Sequence, residues 1–228
     1  MRNKKIPVLF SFLIFLLVAC NNGQKQADQD VAKNEAPKDT TKAASRKTIL
    51  FFGNSLTAGY GLEDPLQAFP ALIQKRIDSL GMSYTVVNAG VSGETSSGGN
   101  SRIDWILKQP VDVFILELGA NDGLRGIPFE ETEKNLQSII DKVKAKNKDV
   151  KIILAGMLVP PNMGPDYTKA FRELFPELAK KNKTPFIPFI LEGVAGEEKL
   201  NQGDGIHPTV EGHKIVMENV WKVMKDVL

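Results

Sequence analysis

The sequence predicts an α/β domain over residues 48 to 228, built as a parallel sheet with helices on both faces. Two patterns carry that prediction. Apolar runs of strand length recur five times, and each is separated from the next by a segment with helical periodicity. Such alternation is what parallel strands joined by crossover helices require. A third pattern concerns placement: short polar segments follow the first three runs, at the strand ends where sheets of this type bind ligands.

In order, Thr48–Gly53 is the first strand-length run. Pro70, followed by Ala71-Leu72-Ile73 and Ile77, predicts a helix with proline in its first turn. Tyr84–Asn88 and Val111–Leu118 are the second and third runs. Thr132 to Lys146 places Leu136, Ile139, Ile140 and Val143 on one helical face. Val150–Gly156 and a shorter run near Pro185–Pro188 complete the sheet. A last helix from about Thr209 aligns Val216, Val220, Val223 or Met224, and Val227. There is no internal repeat and no second domain, and the length suffices for one good core.

The chain before residue 48 reads differently. Arg2, Lys4 and Lys5 precede an apolar run from Val8 to Val18 that is short for a bilayer span. It ends in Leu17-Val18-Ala19-Cys20, which resembles the lipobox of bacterial lipoproteins. That resemblance implies a signal peptide over residues 1–19 and lipid attachment at Cys20; the alternative is an ordinary secretory signal that holds a cysteine. Residues 20–47 then form a polar tether, without aromatics and with Val31 as its one branched aliphatic. A flexible chain of that length spans roughly 30 Å end to end. The expected location is the cell envelope, periplasmic or surface-facing, with the membrane reached only through the anchor.

Composition excludes several classes. Cys20 is the only cysteine, so the mature domain has neither an internal disulfide nor a cysteine nucleophile, and cysteine-based metal sites are ruled out. Losing residues 1–19 would remove three of the 29 basic residues, leaving 26 against 27 acidic ones, a net charge of −1. That balance gives no case for nucleic-acid binding. A monomer is the default expectation.

Four segments carry the chemistry: Gly53-Asn54-Ser55-Leu56, Val91-Ser92-Gly93-Glu94-Thr95, Gly119-Ala120-Asn121-Asp122 and Asp204-Gly205-Ile206-His207-Pro208. Serine needs a base to act as a nucleophile at neutral pH. Only His207 and His213 are available. His207 lies three residues after Asp204, close enough for the carboxylate to hold its tautomer and stabilise an imidazolium. Taken alone, Asp204-Gly205 also reads as a turn before a helix. His213 shares a face with Val216 and Val220 and reads as a packing histidine. Gly93 can present its backbone N–H with no side chain in the way, and Asn121 offers an amide donor; separately they also read as a turn glycine and a loop cap. Removing one preplaced oxyanion donor costs about 2.7–4 kcal/mol.

Together the segments resemble the SGNH, or GDSL, hydrolase family. Within it the similarity is to the branch of bacterial thioesterase I, lysophospholipase and arylesterase enzymes. Its four letters fall on Ser55, Gly93, Asn121 and His207, with Asp204 as triad acid, and the similarity runs through residues 48–226. The resemblance implies a flavodoxin-like three-layer sandwich around a central five-stranded parallel sheet, with no metal and no cofactor. It also implies an oxyanion hole made by the backbone N–H groups of Ser55 and Gly93 and the side chain of Asn121. The segment from Asp122 to Gly126 resembles a mobile loop beside the acyl chain. One departure is plain: Asn54 stands where the family usually has aspartate. No G-x-S-x-G is present, so the nucleophile elbow of α/β-hydrolases is not the pattern.

The expected reaction is two-step acyl transfer on a small ester or lipid substrate. Leu124, Ile127, Leu158 and Pro160, with Met157 and Val159, are candidates for an apolar acyl groove, although core packing explains Met157 as well. A lipid-tethered enzyme outside the cytoplasm has little access to acyl-CoA, which favours short- to medium-chain esters, aryl esters or lysophospholipids over thioesters. The alternatives are a carbohydrate O-acetylesterase acting on surface glycans and a catalytically silent binding lipoprotein. A flavodoxin-like cofactor binder is disfavoured because no glycine-rich dinucleotide fingerprint is present.

Overall fold

Five parallel strands form one sheet in the order β2-β1-β3-β4-β5. They are β1 (Lys47–Gly53), β2 (Tyr84–Gly90), β3 (Val113–Glu117), β4 (Lys151–Ala155) and β5 (Phe186–Ile187). The computed structural model describes residues 46–228. Cys20, the expected signal segment and nearly all of the expected tether lie outside the described residues.

The strand order explains the sequence pattern. β1, β3 and β4 are central, and Ile49–Phe52, Val113–Leu116 and Ile152–Leu154 are buried. A strand covered on both faces reads as an unbroken apolar run rather than an alternation. β2 lies at an edge and is mostly half-buried or exposed. Lys47, expected at the end of the tether, already pairs with Tyr84 in the sheet.

The first crossover runs from β1 through α2 (Phe69–Ser79) to β2, and the chain then reverses across the sheet. The later crossovers use α3 (Ser96–Ile106), α5 (Phe129–Lys146) and α6 (Pro165–Asn182), and α7 (Val210–Met224) closes the chain. α2 packs against α7, whereas α3, α5 and α6 pack side by side, giving a three-layer flavodoxin-like sandwich. The reversal falls between β1 and β3, the place where such sheets open a ligand crevice.

The helices expected from periodicity are present. Pro70 lies in the first turn of α2, and Phe69, Ile73 and Ile77 are buried at four-residue spacing. α5 starts at Phe129, three residues before the expected Thr132, with Glu130 and Glu131 in its first turn and Lys144 and Lys146 in its last. Those charges suit the helix dipole. Its Leu136, Ile139, Ile140 and Val143 are buried as a face. α7 is capped by Thr209, whose hydroxyl accepts the Gly212 N–H at 3.3 Å.

α3 carries Ser96-Ser97-Gly98-Gly99, a weak helix-forming stretch. Packing overrides that propensity. A Cβ on Gly99 would come within 2.4 Å of Leu118 Cδ1 and 3.1 Å of Phe52 Cε1, so glycine lets this helix lie close against the sheet.

Candidate active site

Two short helices open directly from the central strands: α1 (Ser55–Ala58) after β1 and α4 (Ala120–Leu124) after β3. Ser55 starts the first and Asn121 lies in the second, so both stand at the carboxyl edge of the sheet. Asn54 caps α1, its Oδ1 accepting the Leu56 N–H at 2.9 Å.

His207 arrives from the other end of the chain. The loop from Asn201 to Pro208 is closed by an antiparallel bridge between those two residues, and Gln202 N–H donates to His207 O at 2.7 Å. The Gln202 side chain donates to Tyr60 O at 2.8 Å, tying this loop to the serine side. The imidazole thereby reaches across 152 residues of sequence: Nε2 lies 2.8 Å from Ser55 Oγ. On its other side Nδ1 lies 2.7 Å from Asp204 Oδ2. Asp204 Oδ1 accepts the backbone N–H groups of Ile206 at 2.9 Å and His207 at 3.0 Å. These bonds, led by the His207 N–H, hold the Asp204 carboxyl down at about 2. An ionised Asp204 keeps the proton on Nδ1 and leaves Nε2 free to accept from serine. The Tyr60 ring packs against the imidazole, with centroids 4.6 Å apart.

Gly93 and Asn121, the other two residues expected to face the oxyanion, are placed by a second set of contacts. Gly93 lies on the loop after β2, whose Val91 N–H is bonded to Gly53 O at 3.0 Å. Asn121 Nδ2 donates to Glu94 O at 2.9 Å, and Arg125 Nη2 donates to Gly93 O at 2.9 Å. The α4 segment therefore grips the Gly93 loop at two successive carbonyls. Asn121 has a second amide hydrogen left for another acceptor. Glu94 is fixed further by Arg102, whose Nε donates to Oε1 at 2.6 Å and whose guanidinium lies 4.0 Å over the Phe52 ring.

A cavity of about 870 Å³ opens beside Ser55 and His207. It runs from the end of β1 past Asn121 to the segment after β4, and α6 contributes Thr168 and Arg172 to its wall. Leu124, Leu158 and Pro160 line it as the sequence predicts, as do Met157 and Val159. Met157 is also 6% exposed, so it packs in the core and borders the cavity at once. Ile127 does not line the cavity. The chain leaves α4 with Ile127 N–H bonded back to Asp122 O, and the Ile127 carbonyl accepts the Tyr167 hydroxyl at 2.7 Å. Among the described residues, no three His, Cys, Asp or Glu side chains are grouped to hold a metal ion.

Residues 51–215 match the GDSL-like lipase/acylhydrolase family. The chain belongs to that family. Over 189 residues this hydrolase is 41% identical to the esterase TesA of Pseudomonas aeruginosa, a match spanning 82% of this chain and 92% of that protein. It is 37% identical over 190 residues to thioesterase 1/protease 1/lysophospholipase L1 of Escherichia coli, spanning 83% and 88%. The solved structure of the psychrotrophic esterase EstA from Pseudoalteromonas sp., inhibited by monoethylphosphonate, matches it with a TM-score of 0.75 at 32% identity. That match covers 79% of this chain and 98% of EstA.

His213 is the packing histidine its helical face suggested. It is buried, its Nδ1 accepts the Phe69 N–H at 3.2 Å, and burial pulls its pKa down to about 4. The reading by sequence pattern missed the partners behind the serine turn. Glu117, the last residue of β3, is buried, and its carboxylate accepts from Asn54 and Thr57. Its one signal in the sequence is a charged residue near the end of a mostly apolar run.

Proposed function

We propose that this hydrolase cleaves short- to medium-chain carboxylic esters, aryl esters and lysophospholipids through an acyl-enzyme on Ser55. The observation that carries the reading is the 2.8 Å contact between Ser55 Oγ and His207 Nε2 at the mouth of a large, mainly apolar cavity. His207 takes the serine proton as Oγ attacks the carbonyl carbon, and Asp204 stabilises the resulting imidazolium. The carbonyl oxygen, now negative, is received by the N–H groups of Ser55 and Gly93 and by the free amide hydrogen of Asn121. Collapse expels the alcohol, which takes its proton from His207. Water then repeats the sequence on the acyl-enzyme and releases the acid. A thioester carbonyl is open to the same attack, but an envelope enzyme meets esters and lipids first.

The reading extends to location. A domain over residues 48–228 on a tether from Cys20 would work at the membrane surface without entering it. Among the described residues no helix is long and apolar enough to cross a membrane. Replacing Cys20 by serine is expected to release the protein from the membrane fraction and to abolish incorporation of labelled fatty acid.

The test of the activity is release of p-nitrophenol from acetyl to dodecanoyl esters by the full chain and its Ser55→Ala variant. Turnover that rises from acetyl toward medium chains and vanishes in the variant supports the reading. Turnover confined to acetyl esters turns it toward the glycan O-acetylesterase. No Ser55-dependent turnover makes the chain a silent binding protein.

A further inference from the structure

The departure at position 54 acquires a physical meaning from what lies beneath it. The pairing of β1 with β3 sets Gly53 opposite Glu117, which brings a glutamate under the serine turn. Its Oε1 accepts Asn54 Nδ2 at 2.8 Å, while Oε2 accepts the Asn54 N–H at 3.1 Å and the Thr57 hydroxyl at 2.8 Å. The Asn54 amide cannot be turned over without loss, because its Oδ1 already caps Leu56 N–H. Gly53 completes the arrangement: a Cβ there would lie 2.2 Å from Thr57 Oγ1 and 2.5 Å from Glu117 Oε2.

We propose that Glu117 is a positioning residue for acyl transfer: its carboxylate holds, through Asn54 and Thr57, the turn that presents Ser55, and the amide at position 54 lets it do so as an anion. The inference rests on the acyl-transfer reading above. All three groups bonded to the carboxylate are donors, so the ionised form satisfies every one of them. Burial alone pushes Glu117 up, to about 7, against the hydrogen bonds from Thr57 and Asn54, and no charged side chain from the elements packed around it takes part. On protonation only the Thr57 hydroxyl can change from donor to acceptor. Oε2 then gives up acceptor capacity to the Asn54 N–H, one peptide before the Ser55 N–H assigned to the oxyanion. With aspartate at position 54, two carboxylate oxygens would stand about where the 2.8 Å amide bond now lies, and the pair would have to share a proton.

The test is an exchange of the two side chains. Glu117→Gln sets an amide N–H against a donor, and is expected to lower kcat about tenfold or more with little change in KM. Asn54→Asp is expected to add an alkaline limb to the pH profile as the shared proton leaves. The double variant N54D/E117Q reverses the amide–carboxylate bond and keeps every other partner. Its glutamine donates to the carboxylate introduced at position 54 and still accepts from the backbone N–H of that position and from Thr57. It is expected to recover most of the kcat and to lose the alkaline limb. A Glu117→Gln enzyme with full kcat, or an exchange no better than that single variant, overturns the proposal. Thermal melting of the same four proteins reads the exchange without turnover, so failure of the positioning role is distinguishable from failure of the esterase reading.

Discussion

Asn121→Ala tests the oxyanion role proposed for this side chain. In the folded protein Asn121 Nδ2 gives one hydrogen to Glu94 O at 2.9 Å, which fixes the amide plane and leaves a second hydrogen to donate on a residue that lines the cavity. Truncation removes a donor whose orientation was settled before substrate arrived, and such donors are worth about 2.7–4 kcal/mol in the transition state, or 10²–10³ in kcat. The same change leaves the Glu94 carbonyl without its partner, a loss of about 1 kcal/mol in stability. The two effects separate by assay: kcat and KM for p-nitrophenyl butyrate, with a thermal melt beside them. Because the donor acts on a charge that exists only after attack, KM should hardly move. A variant whose kcat stays within about threefold of wild type would refute the assignment, and one that loses kcat only in proportion to folded protein would place Asn121 in the scaffold instead.

Asp204→Asn keeps an oxygen for the two backbone N–H groups but sets an amide against His207 Nδ1. The imidazole then holds its proton on Nε2, facing the serine, and kcat is expected to fall by about 10⁴ in single-turnover assays, with folding unchanged. Since Asp204 ionises at about 2, the acid limb of the wild-type profile must come from other groups, and a limb extending down to that value would contradict this. Gly53→Ala drives a Cβ into Thr57 Oγ1 and Glu117 Oε2 and is expected to cost about 1–3 kcal/mol, with a fall in kcat that exceeds the loss of folded protein.

What the sequence made legible is what chain-local physics encodes. Continuous apolar runs gave the central strands because both of their faces are covered, and Ser55, Gly93 and Asn121 fell at strand ends because each follows such a run. Contacts between distant segments left little local trace. Asn54 and Glu117 lie 63 residues apart and meet only through the register of β1 on β3. Arg102 reaches Glu94 from within a helix whose Gly-rich start has poor helical propensity and is sustained by packing. Ile127 misled for a related reason. Its sequence neighbour Leu124 faces the cavity, but the turn out of α4 carries the next apolar residue away from it.

Glu117 and His213 pull the pH dependence of stability in opposite directions. Burial raises Glu117 from 4.5 to about 7, so between those values the native chain holds a proton that the unfolded chain has released. Its contribution is full below 4.5 and is lost as pH rises through 7. Burial, assisted by the charge of His207, lowers His213 from 6.5 to about 4, so the unfolded chain protonates first on acidification. That contribution is full above 6.5 and is lost as pH falls toward 4. Each shift corresponds to about 3 kcal/mol, or roughly 6–12 °C in melting temperature for a domain of this size. Between about pH 4.5 and 6.5 the two slopes oppose each other, and the wild-type melting temperature owes almost no net change to the pair. Single replacements uncover the hidden slopes. His213→Gln should become more stable on acidification through this window, and Glu117→Gln less stable. Two variants that both keep the wild-type slope would mean that neither group changes its proton affinity on folding, and Glu117 would then support the serine turn as an anion across this whole window instead of only toward pH 7 and above.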